Sequence, residues 1–248
     1  MSYDGSPRLR LAPLNRVLCP ALHLNPPNNP LHLFDSAVNH FTSIPWCAEL
    51  LQSGPYAASR LSVHNDSIAA SKGKGSARPP AISFIPQSSN PASERHDQFV
   101  GATLAKAPRA LRHALYLFRP DDAEHLRDPC RPIARVAALF SIGEGLCGYE
   151  GVLHGGMAAT MMDETLGSIN ELNKALAKAD TLYDASSVTA ALNITFRRPI
   201  PVQGEVCVTA WVEGIRGRKT NMKCELTGPD GEVLALATSI WVALKSKI

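Results

Sequence analysis

The clearest periodicity lies in the second half of the chain. From 187 to 198 apolar and polar positions alternate, with Val188, Ala190, Leu192, Ile194 and Phe196 on one face and Thr189, Asn193 and Thr195 on the other. That is the period of a strand with one buried face. Strand-like runs follow near 204–214, 219–228 and 232–244, and another precedes at 133–142. Gly214 to Lys219 and Pro229-Asp230-Gly231 are turn signals, so consecutive strands are predicted to pair antiparallel. An apolar run at 155–175 predicts a long helix. At ~100° per residue, Met161, Met162, Thr165, Leu166, Ile169 and Leu172 gather into one core stripe. Asp163 falls off that stripe, beside Gly156, Ala159, Gly167 and Asn170, a strip of mostly small residues. Glu164 lies with Thr160, Ser168 and Glu171 on a face predicted to be solvated. One strand, a long helix and a run of strands imply an α+β fold, with the helix lying on one antiparallel sheet.

The first half is less regular. Residues 1–34 show neither period and predict an extended or disordered lead-in. Residues 35–53 suit a short helical segment capped by Ser36, with Val38, Phe41, Ile44, Trp46 and Leu50 or Leu51 as contacts; Pro45 either breaks it or opens a second turn. Residues 54–98, which include SKGKGSARPP, are too poor in apolar surface to offset ordering entropy and predict a low-complexity mobile insertion. Leu104, Leu111, Leu115 and Leu117 predict a helical connection over 99–132, leaving 133–248 as the main domain.

Composition narrows the function classes. The chain has 248 residues, and Lys+Arg 25 against Asp+Glu 22 gives a net charge of +3, too little and too dispersed for a nucleic-acid partner. Val17 to Phe34 carries four prolines, which excludes a membrane-spanning helix there. Arg8, Arg10 and Arg16 give the start a mitochondrial-presequence flavour, but its prolines oppose an amphipathic helix, so the expected location is cytoplasmic, with the mitochondrion as alternative. The six cysteines are scattered, as expected of buried thiols in a reducing compartment. Neither they nor His154 and Asp163 form a metal-ligand set, so no metal is expected. The glycines from 143 to 151 lack dinucleotide-binding spacing.

The densest chemical signal is His154-Gly155-Gly156 at the start of the long helix. The first N–H groups of a helix lack intrahelical partners and carry the positive end of its dipole, which makes an oxyanion site. A tight turn with a capping or core His154 fits the same residues equally well. Asp163 on the small-residue strip is placed for close approach by a ligand or a second backbone, and desolvation there raises its pKa toward that of a general base or nucleophile. Arg216, Arg218 and Lys219 form a short basic loop suited to phosphate.

His154-Gly155-Gly156 with Asp163 nine positions after the histidine resembles the hotdog-fold thioesterase superfamily, in its phenylacetate-pathway and mammalian acyl-CoA thioesterase branch. The likeness continues through the segment from Val188 to Pro199, through Gly217-Arg218-Lys219-Thr220 and through Asp230 to Ala235. Ser43-Ile44-Pro45-Trp46-Cys47 and Met162-Asp163-Glu164 resemble fungal members, some of which accompany polyketide-forming enzymes. The resemblance implies a hotdog fold, an antiparallel sheet wrapped around the central helix, and a homodimer or dimer of dimers whose sites are built from two subunits. It implies catalysis by Asp163, the Gly155 N–H, Thr189 and His154, and substrate contacts from Gly156, Asn193, Arg218 and Lys219. The substrate would be an acyl-CoA or an acyl chain on a carrier protein, with CoA or phosphopantetheine as part of the substrate and no separate cofactor. Some relatives carry Asn where this chain has Gly148. Two other readings share these residues: a non-catalytic acyl-thioester-binding protein, and a hotdog dehydratase or cyclase-like tailoring enzyme.

Overall fold

The computed structural model describes residues 17–26, 31–53, 79–90, 98–105, 107, 109–179 and 187–244. In chain order these form α1 (Leu31–Thr42), α2 (Pro45–Ser53), β1 (Ile82–Phe84), β2 (Leu111–Phe118), β3 (Arg135–Ile142), β4 (Cys147–Tyr149), β5 (Val152–Leu153), α3 (Gly155–Ala175), β6 (Ser187–Phe196), β7 (Gly204–Arg216), β8 (Lys219–Thr227) and β9 (Val233–Ala243). Seven strands make one antiparallel sheet in the order β1-β2-β3-β7-β8-β9-β6, while β4 and β5 form a separate hairpin leading into α3. The expected α+β hotdog arrangement is present: the sheet curves around α3, whose buried Met161, Met162, Thr165, Leu166, Ile169 and Leu172 are the stripe read from the sequence.

Those residues share one core with the inward side chains of the sheet, among them Tyr116, Phe118, Val136, Phe140, Val208, Cys224 and Ala237. At the C-terminal end of the helix Asn173 clamps it in register. Its Nδ2 donates to the Ile133 and Ile169 carbonyls at 2.8 and 2.9 Å, and its Oδ1 accepts from the Ile133 N–H at 2.7 Å.

The first hundred residues depart from expectation. Pro45 opens a second helix rather than breaking the first, as its fixed φ at a helix start allows. Val17, Leu18 and Cys19, expected in a disordered lead-in, are fully buried, and Leu18 exchanges two 2.9 Å backbone hydrogen bonds with Ile85. The expected 54–98 insertion falls partly outside the described residues, but within it Ile82–Phe84 is a strand on β2. The helix expected over 99–132 extends only from Gln98 to Leu104, and Leu111–Phe118 is a strand. The reason is that the sheet is covered on both sides here. Tyr116 and Phe118 face α3, whereas Leu115 and Leu117 lie in a second core under Ala37, Phe41, Cys47 and Leu50 of α1 and α2. A strand buried on both faces loses its alternation, and LRHALYLF then imitates helical spacing. The cysteine expectation also needs correction: all six are free thiols and four are buried, but Cys130 and Cys147 are exposed.

Candidate active site

The site grows from the junction of the β4–β5 hairpin with α3. His154 is the N-cap residue: its backbone is extended, and its Nδ1 accepts the Gly156 N–H at 3.0 Å. Accepting at Nδ1 places the proton of the neutral ring on Nε2. A side chain at 156 would have its Cβ 3.0 Å from the His154 ring, so glycine there makes room for the cap. The Met157 N–H bonds the His154 carbonyl at 2.9 Å. Of the first three helical N–H groups, the Gly155 N–H is therefore the one without a hydrogen-bond partner among the described residues. The capping role of His154 and the open donor at Gly155 coexist, and Gly156 offers no free N–H. At position 148 a Cβ would lie 3.0 Å from the His154 Cα and 3.2 Å from its ring. Glycine there lets the hairpin close on His154.

Two turns along the helix, half-buried Asp163 faces β6. The Thr189 hydroxyl donates to its Oδ1 at 2.8 Å. Burial pushes the Asp163 carboxyl above the ordinary carboxylate range, and the Thr189 hydrogen bond partly opposes this. The charge of Asp163 in turn adds to burial in pushing the Cys224 thiol up to about 12. The acid thus sits over the inward face of the β8, β9 and β6 strands.

Thr189 reaches Asp163 because β6 is not a regular strand. The register against β9 shifts between Thr189 and Ala191, so an extra residue reverses the side-chain phase. Before the bulge Thr189 points inward; after it Leu192 and Ile194 pack on the core, and Asn193 lies exposed. The alternation expected over the whole strand is therefore wrong at the bulge. Thr189 and Asn193, read as sharing a face, are on opposite ones, and Asn193 lines a shallow outer depression with Glu213, Asn221 and Lys223, away from Asp163. Val188 and Phe196, expected to be buried, are 45% and 51% exposed.

Glu164 is not the solvated residue the helical angle suggested. It is half-buried, and its charge, with that of Glu171, adds to the burial that pushes the Tyr116 phenol on β2 well above its ordinary pKa. The sequence reading missed β2, which carries the sheet beneath that face. Arg218 and Lys219 are exposed in the β7–β8 turn, where the Arg218 guanidinium donates to the Ala243 carbonyl at 2.9 Å.

Trp241 was not anticipated. Directly opposite Thr189 on β9, it lays its six-membered ring against Gly167, where a Cβ would lie 2.9 Å from Cη2. A glycine on the small-residue strip needs a partner to fill it, and that was the one available signal. Among the described residues no three His, Cys, Asp or Glu side chains are grouped to hold a metal, and no helix is long and apolar enough to cross a membrane.

Residues 150–235 match the family model described as Thioesterase superfamily. The chain is 33% identical over 111 residues to Acyl-coenzyme A thioesterase THEM4 of Bos taurus, covering 44% of this chain and 41% of that protein. It is 23% identical over 151 residues to Verlamelin biosynthesis protein B of Lecanicillium sp, covering 52% of this chain and 65% of that one. Among solved structures, zebra fish Thioesterase Superfamily Member 2 is similar at 22% identity and TM-score 0.39, over 46% of this chain and 76% of the other. The chain thus spans less than half the length of the bovine relative.

Proposed function

Since residues 150–235 match the thioesterase superfamily model, we propose that the chain hydrolyses acyl thioesters with Asp163 as the reacting carboxylate. The observation that carries this reading is the 2.8 Å Thr189–Asp163 hydrogen bond. It fixes one carboxylate oxygen and leaves the other to take a proton from water, in surroundings that raise its basicity. The activated water adds to the thioester carbonyl, the oxyanion is held by a helix-start N–H, and the carbon–sulfur bond then breaks to release the thiol.

Gly155 and Asp163 are eight residues apart on one helix, hence ~12 Å along its axis, too far for one carbonyl to touch both. The reading therefore requires two copies, one giving Asp163 and Thr189 and the other the Gly155 N–H. Among the described residues the sheet ends on β6, and an edge strand can accept a second β6. The exposed Val188 and Phe196 beside that edge would be covered in such a pair.

Similarity to Acyl-coenzyme A thioesterase THEM4 supports CoA as the thiol, while similarity to a verlamelin biosynthesis protein supports a biosynthetic role, for which a carrier-bound acyl chain is the alternative substrate. The Arg218-Lys219 turn suits the phosphates of either. The test is thiol release from acyl-CoAs of several lengths, an acyl-pantetheine and a carrier-bound acyl chain, by wild type and Asp163→Asn. A fall of about 10²-fold or more in the variant is expected for loss of a general base; equal turnover by both would sink the reading. An acyl-enzyme mass adduct would reassign Asp163 from base to nucleophile.

A further inference from the structure

Two buried polar atoms of β9 have no hydrogen-bond partner among the described residues: the Trp241 Nε1 and the Ser239 Oγ. Trp241 and Ser239 are only 9% and 3% exposed. They are alternate inward residues of β9, the first directly opposite Thr189 and the second opposite Leu192, just past the bulge. Gly167, one turn beyond Asp163 on the same strip of α3, holds the Trp241 ring. Both therefore border the α3–β9 interface beside the Asp163–Thr189 pair.

A buried donor left unpaired costs about 1–3 kcal/mol, and two on alternate inward positions of β9 beside Asp163 mark a site for a polar group of a ligand. The indole N–H can only donate, and the Ser239 hydroxyl can do either. The missing partner is therefore an acceptor oxygen. Directly opposed residues of an antiparallel pair stand ~5 Å apart at Cβ, so such an oxygen would lie a few bonds from the carbonyl that Asp163 addresses. The same indole, seated against Gly167, leaves an unbranched saturated chain facing donors it cannot satisfy.

Resting on the thioesterase reading, we propose that Trp241, with Ser239, forms a polar subsite selecting acyl chains that carry a hydroxyl or keto oxygen on the β- or γ-carbon. Trp241 is then a specificity-determining residue, and Gly167 is the position that admits it.

The test compares kcat/KM for decanoyl-CoA, 3-hydroxydecanoyl-CoA and 4-hydroxydecanoyl-CoA in wild type, Trp241→Phe and Ser239→Ala. Phenylalanine keeps a ring against Gly167 and removes the N–H. The wild type is expected to favour a hydroxylated chain about tenfold or more over decanoyl-CoA, and Trp241→Phe to lose most of that ratio. No wild-type preference, or equal losses on all three substrates in Trp241→Phe, overturns the subsite. If no thioester is turned over, calorimetric binding of the corresponding non-hydrolysable thioethers reads the same ratio. A hydroxyl preference without turnover would then refute the hydrolase and keep the subsite, and equal affinities would refute the subsite.

Discussion

The hydroxyl of Thr189 on β6 donates to the carboxylate of Asp163 on α3 at 2.8 Å, joining the central helix to the last strand of the sheet. This bond lowers the Asp163 pKa while burial, the larger influence, raises it. Thr189→Val removes the lowering contribution and keeps the shape. The carboxyl should then hold its proton to a higher pH, so the acid limb of kcat/KM should move upward and the plateau should fall. A pH–rate profile of the two proteins checks this; an unmoved acid limb would mean that Asp163 is not the titrating base.

Asp163 should also cost the fold stability. Its folded-state pKa is raised above the unfolded value, so the folded protein binds the proton more tightly. The contribution of Asp163 to stability is fully present below the unfolded pKa and is lost as pH rises through the folded one. Above the raised folded pKa the carboxylate is ionised in both states, and the penalty is complete. Asp163→Asn, which keeps an oxygen for Thr189, should melt higher than wild type at pH 7, by on the order of a degree or two given its partial exposure. The difference should shrink as pH falls below the raised pKa. Thermal melts at pH 7 and pH 4 measure it, and a lower Tm for the variant at pH 7 would contradict the desolvation argument.

What could be read from the sequence was what depends on one element at a time. The stripe from Met161 to Leu172 and the separate strip holding Asp163 follow from helical angle alone, and α3 keeps both. The strand-like runs near 204–214, 219–228 and 232–244 are the strands β7, β8 and β9. Where two layers cover a strand, as at Leu115 and Tyr116, the period vanished and the strand was read as helix. The bulge at Thr189 to Ala191 is a property of β6 paired with β9, so a sequence reading confined to β6 put Asn193 beside Thr189. Trp241 and Gly167 are 74 positions apart, and only the closed sheet brings them into contact.

His154 fixes the first turn of α3. His154→Ala would leave the Gly156 N–H without its acceptor and should destabilise the protein by about 1 kcal/mol, in the range of an N-cap loss. Asn is a strong capping residue, so His154→Asn should recover most of that stability. If His154 serves only to orient the helix start, activity should follow the same order. Urea denaturation and thiol release on both variants test it; stability restored without activity would point to direct contact between the imidazole and the substrate.

The packing of α1 and α2 makes the strongest contrast with a disposable N-terminal extension. Phe41 is fully buried and shares a core with Leu115, Leu117, Ala137 and Leu139 on the side of the sheet opposite α3. An aromatic ring removed from such a position leaves a cavity that the strands cannot fill, because β2 and β3 are held in register by their ladder. Phe41→Ala should therefore cost about 3–5 kcal/mol in urea unfolding, although it touches neither Asp163 nor Thr189. In the surviving folded fraction KM should stay near the wild-type value, because the opposite face of the sheet forms the site. A cost below about 0.5 kcal/mol, the usual size of a surface substitution, would mean that α1 does not rest on the sheet in solution.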